Sequence, residues 1–389
     1  MVEAQADKTT AGAWEDLRIY LRQQPVMLAL LAVLAVLFFV AVTGLSRAYH
    51  AQRESLGNRW FSRGVTDLRA ERFDSAVTEF RAALLYSRDN YTYQRNLAEA
   101  LIGLKRTGEA SSYLANLWER KPEDGLVNLE LARIAVQKGQ TEQALRYYHN
   151  AIYAAWPSDQ EVKRREARLE LIEFLLTTGA KAQAQAELIA LAENVGDDPA
   201  QQERVGDLFL RAQDYEHALG AYRLALKEER GSRAALAGAG WAAFQLGRYP
   251  LAERYLQAEV AGSTSDTQSA DRLKTTEMVL QMDPFRRQIS VAQRDKIVVS
   301  AFATAGQRLR TCGAAQAPAV PTASQSSLAG SWAKMKPQVS EQDLKRDPDL
   351  VEATMTLVFE IERQTSATCG TPTGADLALL LIAKLHEGN

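Results

Sequence analysis

The 389-residue chain has only two cysteines and four histidines. A structural zinc site takes about four Cys or His ligands, and no histidine or second cysteine stands at ligand spacing from Cys312 or Cys369. A CxxC redox pair is missing as well. His50, His149, His217 and His386 are dispersed, so no nucleophile, base and orienting acid can be grouped. No phosphate loop, HExxH or calcium-loop pattern occurs. "GAGWAA" from Gly238 has the form GxGxxA, but no strand precedes it, and a dinucleotide site needs one. An excess of one charge is also lacking: the net charge is −2 and acids and bases are interleaved, which excludes the broad basic field that holds nucleic acid. The reading is a non-enzymatic protein without metal, cofactor or nucleic-acid partner.

Charge is absent altogether from Pro25 to Leu45, "PVMLALLAVLAVLFFVAVTGL". These residues span roughly 31 Å as a helix, the thickness of a bilayer's hydrocarbon layer, and are expected to cross a membrane. A cleavable signal peptide is the rival. It is disfavoured by a 24-residue leading tail that carries acids as well as bases, by the length of the apolar run, and by the lack of a small-x-small cleavage site before Arg47. Lys8, Arg18 and Arg22 before the span nearly balance Arg47, Arg53, Arg59 and Arg63 after it, so basic residues do not orient it. The seven charges of the tail, Glu3, Asp7, Lys8, Glu15, Asp16, Arg18 and Arg22, favour leaving the tail inside and exporting the large following domain. The expected location is the cytoplasmic membrane, crossed once, with the following domain outside.

What is present after the span is a repeat. Ala76, Ala110, Ala144, Ala184, Ala218 and Ala252 follow one another at spacings of 34, 34, 40, 34 and 34. Twelve positions before each stands Gly64, Ala98, Ala132, Ile172, Gly206 or Gly240, and four after stands Phe80, Leu114, Tyr148, Leu188, Tyr222 or Leu256. Small residues on paired helices allow close approach, and the bulky residue one turn later is expected to pack between neighbouring pairs. Gly139, Gly179 and Gly247, each five residues before its alanine, suit the turn within a pair. Six extra residues around "WPSDQEVKRREA" predict a longer first helix in the fourth unit.

This pattern resembles the tetratricopeptide repeat (TPR) family, a 34-residue helix–turn–helix unit. The resemblance covers residues 59–262 and departs from the family at Ile172 and in having Trp60 alone at the repeat's fourth position. It implies an all-α, right-handed superhelical solenoid, because stacked helix pairs share one continuous core. It also implies protein or peptide binding in an inner groove lined by the first helices. By the family's pattern those residues include Arg69, Arg95, Glu99, Leu129, Arg133, Gln137, Glu173, Glu203, Asp207, Arg211, Trp241 and Gln245. The run of Lys and Asn with which some members clamp a C-terminal carboxylate is missing. Trp241 is the expected anchor, since exposed aromatics dominate binding surfaces.

Beyond the repeats the organisation changes. The parts expected are a tail (1–24), the span (25–45), a juxtamembrane segment (46–58), the solenoid (59–262), a helical cap (263–312), a flexible linker (313–331) and a C-terminal helical segment (332–389). The cap reads as two helices, the second with Ile297, Phe302, Ala305 and Leu309 near one face. The uncharged "GAAQAPAVPTASQSSLAGS" reads as the linker. Asp347-Pro348 predicts the start of a helix through "TMTLVFEIE", although that stretch alternates like a strand. Thr373 and Asp376 are spaced as a capping box for a last apolar helix.

Cys312 and Cys369 each close an expected helix and precede a glycine. A disulfide clasping the C-terminal helices to the cap is the preferred reading; two buried thiols are the alternative. The sequence therefore describes a single-pass, membrane-anchored repeat scaffold for protein interaction or assembly at the cell envelope. A cytoplasm-facing adaptor is the second reading, and a catalytic site in the C-terminal region the third.

Overall fold

The computed structural model describes residues 8–154, 156, 161–261, 267–315 and 323–387, and every regular element among them is a helix. The chain divides into two units, Met1–Arg168 and Leu169–Asn389. The first begins with α1 (Lys8–Arg69), followed by α2 (Phe73–Tyr86), α3 (Tyr91–Gly103), α4 (Thr107–Arg120), α5 (Gly125–Gln137) and α6 (Thr141–Tyr153). It ends within α7 (Glu161–Thr177). At 17 residues α7 exceeds the 13 of α3, α5, α9 and α11, as the inserted residues predict.

α1 is a single helix of 62 residues. The boundaries expected at 24/25, 45/46 and 58/59 all lie inside it, so the apolar stretch runs on into the first repeat without a break in the helix. The sequence change after Leu45 is one of polarity only: no proline occurs between Leu45 and Arg69, and the helix continues from apolar into polar surface. Residues Met27 to Leu45 form an exposed apolar stretch, long and apolar enough to cross a membrane and with none of its most apolar window covered by protein.

The repeat register expected from the sequence is the packing register. All six alanines, Ala76 to Ala252, are fully buried, and their partners and the bulky residues that follow are buried too. The bulky residue packs onto the small residue of its own pair rather than only between pairs. A methyl group placed on Gly64 would stand 2.6 Å from the Phe80 ring, and one on Gly240 2.7 Å from Leu256. Tyr222 does both: its ring lies over Gly206 of its own pair and over Gly238 of the next first helix. The glycines of "GAGWAA" therefore make room for Tyr222 and Leu256.

The turn within each pair repeats as well. Gly139, Gly179 and Gly247 have φ of 68°, 79° and 69°, in the left-handed region that glycine enters without penalty. The equivalent positions in the other pairs are Glu71, Lys105 and Gln213, with φ of 58°, 60° and 60°. Position, not residue type, sets this turn.

The second unit continues from α7 through α8 (Lys181–Ala192), α9 (Pro199–Arg211), α10 (Tyr215–Glu228), α11 (Arg233–Gln245) and α12 (Tyr249–Ala261). Ile172, Leu188, Phe209, Tyr222 and Leu256 belong to one of its cores. The remaining helices are α13 (Thr267–Met282), α14 (Val291–Ala315), α15 (Ala323–Met335), α16 (Glu341–Arg346), α17 (Pro348–Cys369) and α18 (Gly374–Leu385). They build a second core in which Val298, Phe302 and Ala305 of α14 meet Val358 of α17 and Leu379 and Ile382 of α18. "TMTLVFEIE" is helical, and Asp347 caps α17 by accepting from the Asp349 amide. Thr373 precedes α18 without a side-chain cap bond, so the expected capping box does not form.

The expected linker is helical at both ends: α14 runs on to Ala315 and α15 starts at Ala323, with 316–322 outside the described residues. Trp332 explains the docking of α15. Its indole donates to the Phe302 carbonyl at 3.1 Å, stacks on the Phe302 ring at 5.3 Å, and lies where a side chain on Gly306 would be. Cys312 and Cys369 form a disulfide with Cα atoms 5.7 Å apart, inside the range such a bond requires. Cys369 is the last residue of α17, whereas α14 extends three residues past Cys312.

Candidate protein-binding face

Four of the first helices, α3, α5, α9 and α11, start from a side-chain cap. Asn90, Asp124, Asp198 and Ser232 accept from the amides of Tyr93, Val127, Ala200 and Ala235, satisfying donors that the helix itself cannot pair. One turn on, Gln94, Asn128 and Gln202 donate to the carbonyls of Arg88, Pro122 and Gly196, each six residues back, at 2.9, 2.7 and 2.6 Å. These amides lash α3, α5 and α9 to the turns before them. Both sets recur at the repeat spacing, yet they escape a search for apolar periodicity because they are polar.

The residues expected to line the groove fall into two classes. One is internally braced. In the first unit Arg133 of α5 donates to Glu130 at 2.5 Å and to Glu166 of α7 at 3.1 Å. In the second unit Arg211 of α9 donates to Glu173 of α7 at 2.8 Å, and that bond raises the arginine's already high pKa. Asp207 accepts from the Tyr222 hydroxyl at 2.6 Å, and Glu203 accepts from Ser232. Burial, then the bond to Asp207 and its charge, push the Tyr222 phenol upward, so Tyr222 stays a donor. Leu129 is fully buried and belongs to the core.

Trp241 also differs from expectation. It is half-buried, stacked on Phe244 at 5.5 Å, with the Arg272 guanidinium of α13 4.1 Å from its ring centroid. A cation over an indole face is a favourable pairing within the protein. One face of the expected anchor is therefore taken.

The other class is free. Glu99, Gln137 and Gln245, on α3, α5 and α11, are exposed and make no hydrogen bond or ion pair among the described residues. Arg69 ends α1 exposed, and Arg95 on α3 is half-buried near Tyr91. The first helices thus present acid–base braces beside open polar positions.

A cleft of about 640 Å³ in the second unit carries acids Glu253, Glu277 and Asp283 and bases Arg286 and Arg287 on its wall. His386 stands beside it, with Nε2 3.6 Å from Asp283, packed between Phe285 and Phe359. No serine, threonine or cysteine lines the cleft to act as a nucleophile. Among the described residues no group of three or more His, Cys, Asp or Glu is placed to hold a metal ion.

The family model for the tetratricopeptide repeat matches residues 61–125 and 205–267. The chain carries tetratricopeptide repeats. The matched stretches run from the last turns of α1 through α4 and from within α9 through α12, and the helix pairs between them include the insertion and Ile172, where the spacing and the small residue depart from the family pattern. Solved TPR structures resemble it at low identity. YrrB, described as a TPR protein with an unusual peptide-binding site, is 14% identical over 49% of this chain and 95% of its own, with a TM-score of 0.40. PilF of Pseudomonas aeruginosa is 14% identical over 56% of this chain and 97% of its own, at 0.40. The C-terminal part of a TPR repeat-containing protein from Cytophaga hutchinsonii is 11% identical over 61% and 92%, at 0.43. No curated relative matches the chain.

Proposed function

We propose that the chain is a single-pass membrane protein that displays its TPR units outside the cytoplasmic membrane, where the open polar positions of the first helices hold a partner protein or peptide during assembly at the cell envelope. The observation that carries this reading is the contrast on the first helices: Arg133 and Arg211 are locked by Glu166 and Glu173, whereas Glu99, Gln137 and Gln245 are exposed and unpaired. Braced charges fix the shape of a surface, and free polar groups give it specificity.

Two observations support the location. The apolar stretch to Leu45 has no protein cover, and lipid is the solvent that removes the cost of exposing it. The pairing of Cys312 with Cys369 suits an oxidising compartment, where such bonds persist. A cytoplasm-facing adaptor would keep both thiols reduced.

Co-purification tests the binding face. The full chain is expected to retain a partner that Glu99→Lys combined with Gln137→Lys releases, while Arg146→Glu on α6, a second helix, leaves capture unchanged. Equal capture by all three contradicts the assignment. Protease added outside intact spheroplasts is expected to digest the repeats, and their protection would place the domain in the cytoplasm.

A further inference from the structure

The continuity of α1 fixes where the first TPR unit stands relative to the bilayer. At about 1.5 Å per residue, Arg53 lies about 12 Å and Gly57 about 18 Å beyond Leu45 along the helix axis. α2 returns antiparallel along α1, and its last turn is pinned at that height. Arg53 donates to the Leu85 carbonyl at 3.0 Å, and Tyr86 Cβ lies 3.4 Å from where a side chain on Gly57 would begin. α3 then leads away again, held by Tyr93, whose hydroxyl donates to Asn58 at 2.6 Å and whose ring stacks on Phe61 at 4.8 Å. The turn between α2 and α3, Ser87 to Asn90, is therefore the edge of the unit that points back toward the span.

That edge has the chemistry of a lipid interface. Leu85 is 78% exposed, more than any other large apolar residue among those described, including those of the span itself. Tyr49 is 57% exposed with the Arg53 guanidinium over its ring at 5.8 Å. Arg88 is exposed in the turn itself, beside the exposed Asp89. Headgroups add about 5–8 Å to each side of the hydrocarbon layer, and a helix tilted by about 20° lowers one flank further. Tyrosines at that level and arginines reaching to phosphate are what the layer accommodates best.

We propose that the first TPR unit is seated on the phospholipid headgroup layer through Leu85 and Arg88, with Tyr49 and Arg53 beneath it, so that the span and this edge together hold the unit in one orientation. The proposal rests on the membrane reading above. The partner it names is the bilayer surface, and α1 is then a rigid post and not a leash.

The test uses the full chain in phospholipid nanodiscs without reductant, so that Cys312 and Cys369 stay paired and only an introduced thiol is labelled. An environment-sensitive fluorophore is placed through Leu34→Cys, Leu85→Cys or Glu71→Cys, the last lying in the turn at the far end of α2. Lipids bearing nitroxide quenchers in the acyl chain or on the headgroup are then added. The expected result is at least twofold quenching at 34 by the acyl-chain quencher, at least twofold quenching at 85 by the headgroup quencher, and no quenching at 71. Quenching at 34 with a label at 85 as bright as that at 71 overturns the seating while leaving the anchor intact. A label at 34 that neither quencher dims overturns the anchor and the seating together.

Discussion

Gly206 on α9 lies so close beneath Tyr222 on α10 that a methyl group on it would stand 2.8 Å from the ring, while the hydroxyl of the same ring donates to Asp207 at 2.6 Å. The small residue and the hydrogen bond hold one buried ring between them. A Gly206→Val substitution is expected to cost about 1–3 kcal/mol, the usual cost of overpacking a core. The control is Gly220→Ala in mid-α10, where nothing lies within 4 Å and helix propensity alone applies; it is expected to gain about 0.5–1 kcal/mol. Urea unfolding followed by circular dichroism distinguishes the two signs.

The turn positions make a second pair of opposite effects. Lys105 and Gln213 hold φ of 60°, where an L-residue is strained by about 1–2 kcal/mol, partly offset by glycine's greater freedom in the unfolded chain. Lys105→Gly and Gln213→Gly are expected to stabilise by about 0.5–1 kcal/mol each. Gly179→Ala, at φ 79°, is expected to destabilise by about 1 kcal/mol. Equal effects from both exchanges would contradict the equivalence of these turns.

Glu362 on α17 is fully buried with neither carboxylate oxygen hydrogen-bonded, and burial, then the charge of Asp376, push its pKa up to about 8 against the opposing pull of Arg308. The folded protein therefore holds a proton that the unfolded chain releases near the ordinary carboxylate value. Its contribution to stability is fully present below that ordinary value and is lost as pH rises toward 8, on the order of 1 kcal/mol per pH unit. Glu362→Gln is expected to flatten the fall in Tm between pH 5 and 8, and an unchanged slope would remove Glu362 as its source.

The disulfide closes a loop with a sequence separation of 57. Chain entropy makes such a link worth about 4 kcal/mol. Intact protein is expected to gain two hydrogens in mass on reduction, and its C-terminal helices to unfold at lower urea. Two alkylatable thiols before any reductant is added would show that the bond is not made in the cell.

The repeat was legible in the sequence because burial demands small and bulky side chains at fixed offsets, and Ala110, Leu114, Ala218 and Tyr222 show the pattern directly. The braces were not. Arg133–Glu166 and Arg211–Glu173 span 33 and 38 residues, away from the 34-residue step, because α7 is longer than its counterparts. Trp241 could not be read as half-covered, since Arg272 comes from α13, outside the repeat pattern. The change after Leu45 is legible as one of polarity, and polarity alone does not end a helix. The linker was read from composition, and Trp332, one residue past its expected end, is what docks α15 on Gly306.

Site-specific photocrosslinking in cells tests the binding face most directly. A crosslinking side chain is placed in turn at Glu99, Gln137 and Gln245 on first helices and at Arg146 and Arg223 on second helices. The account expects one partner to be captured from the first three positions and not from the last two. Capture of the same partner from Arg146 and Arg223 alone would contradict it.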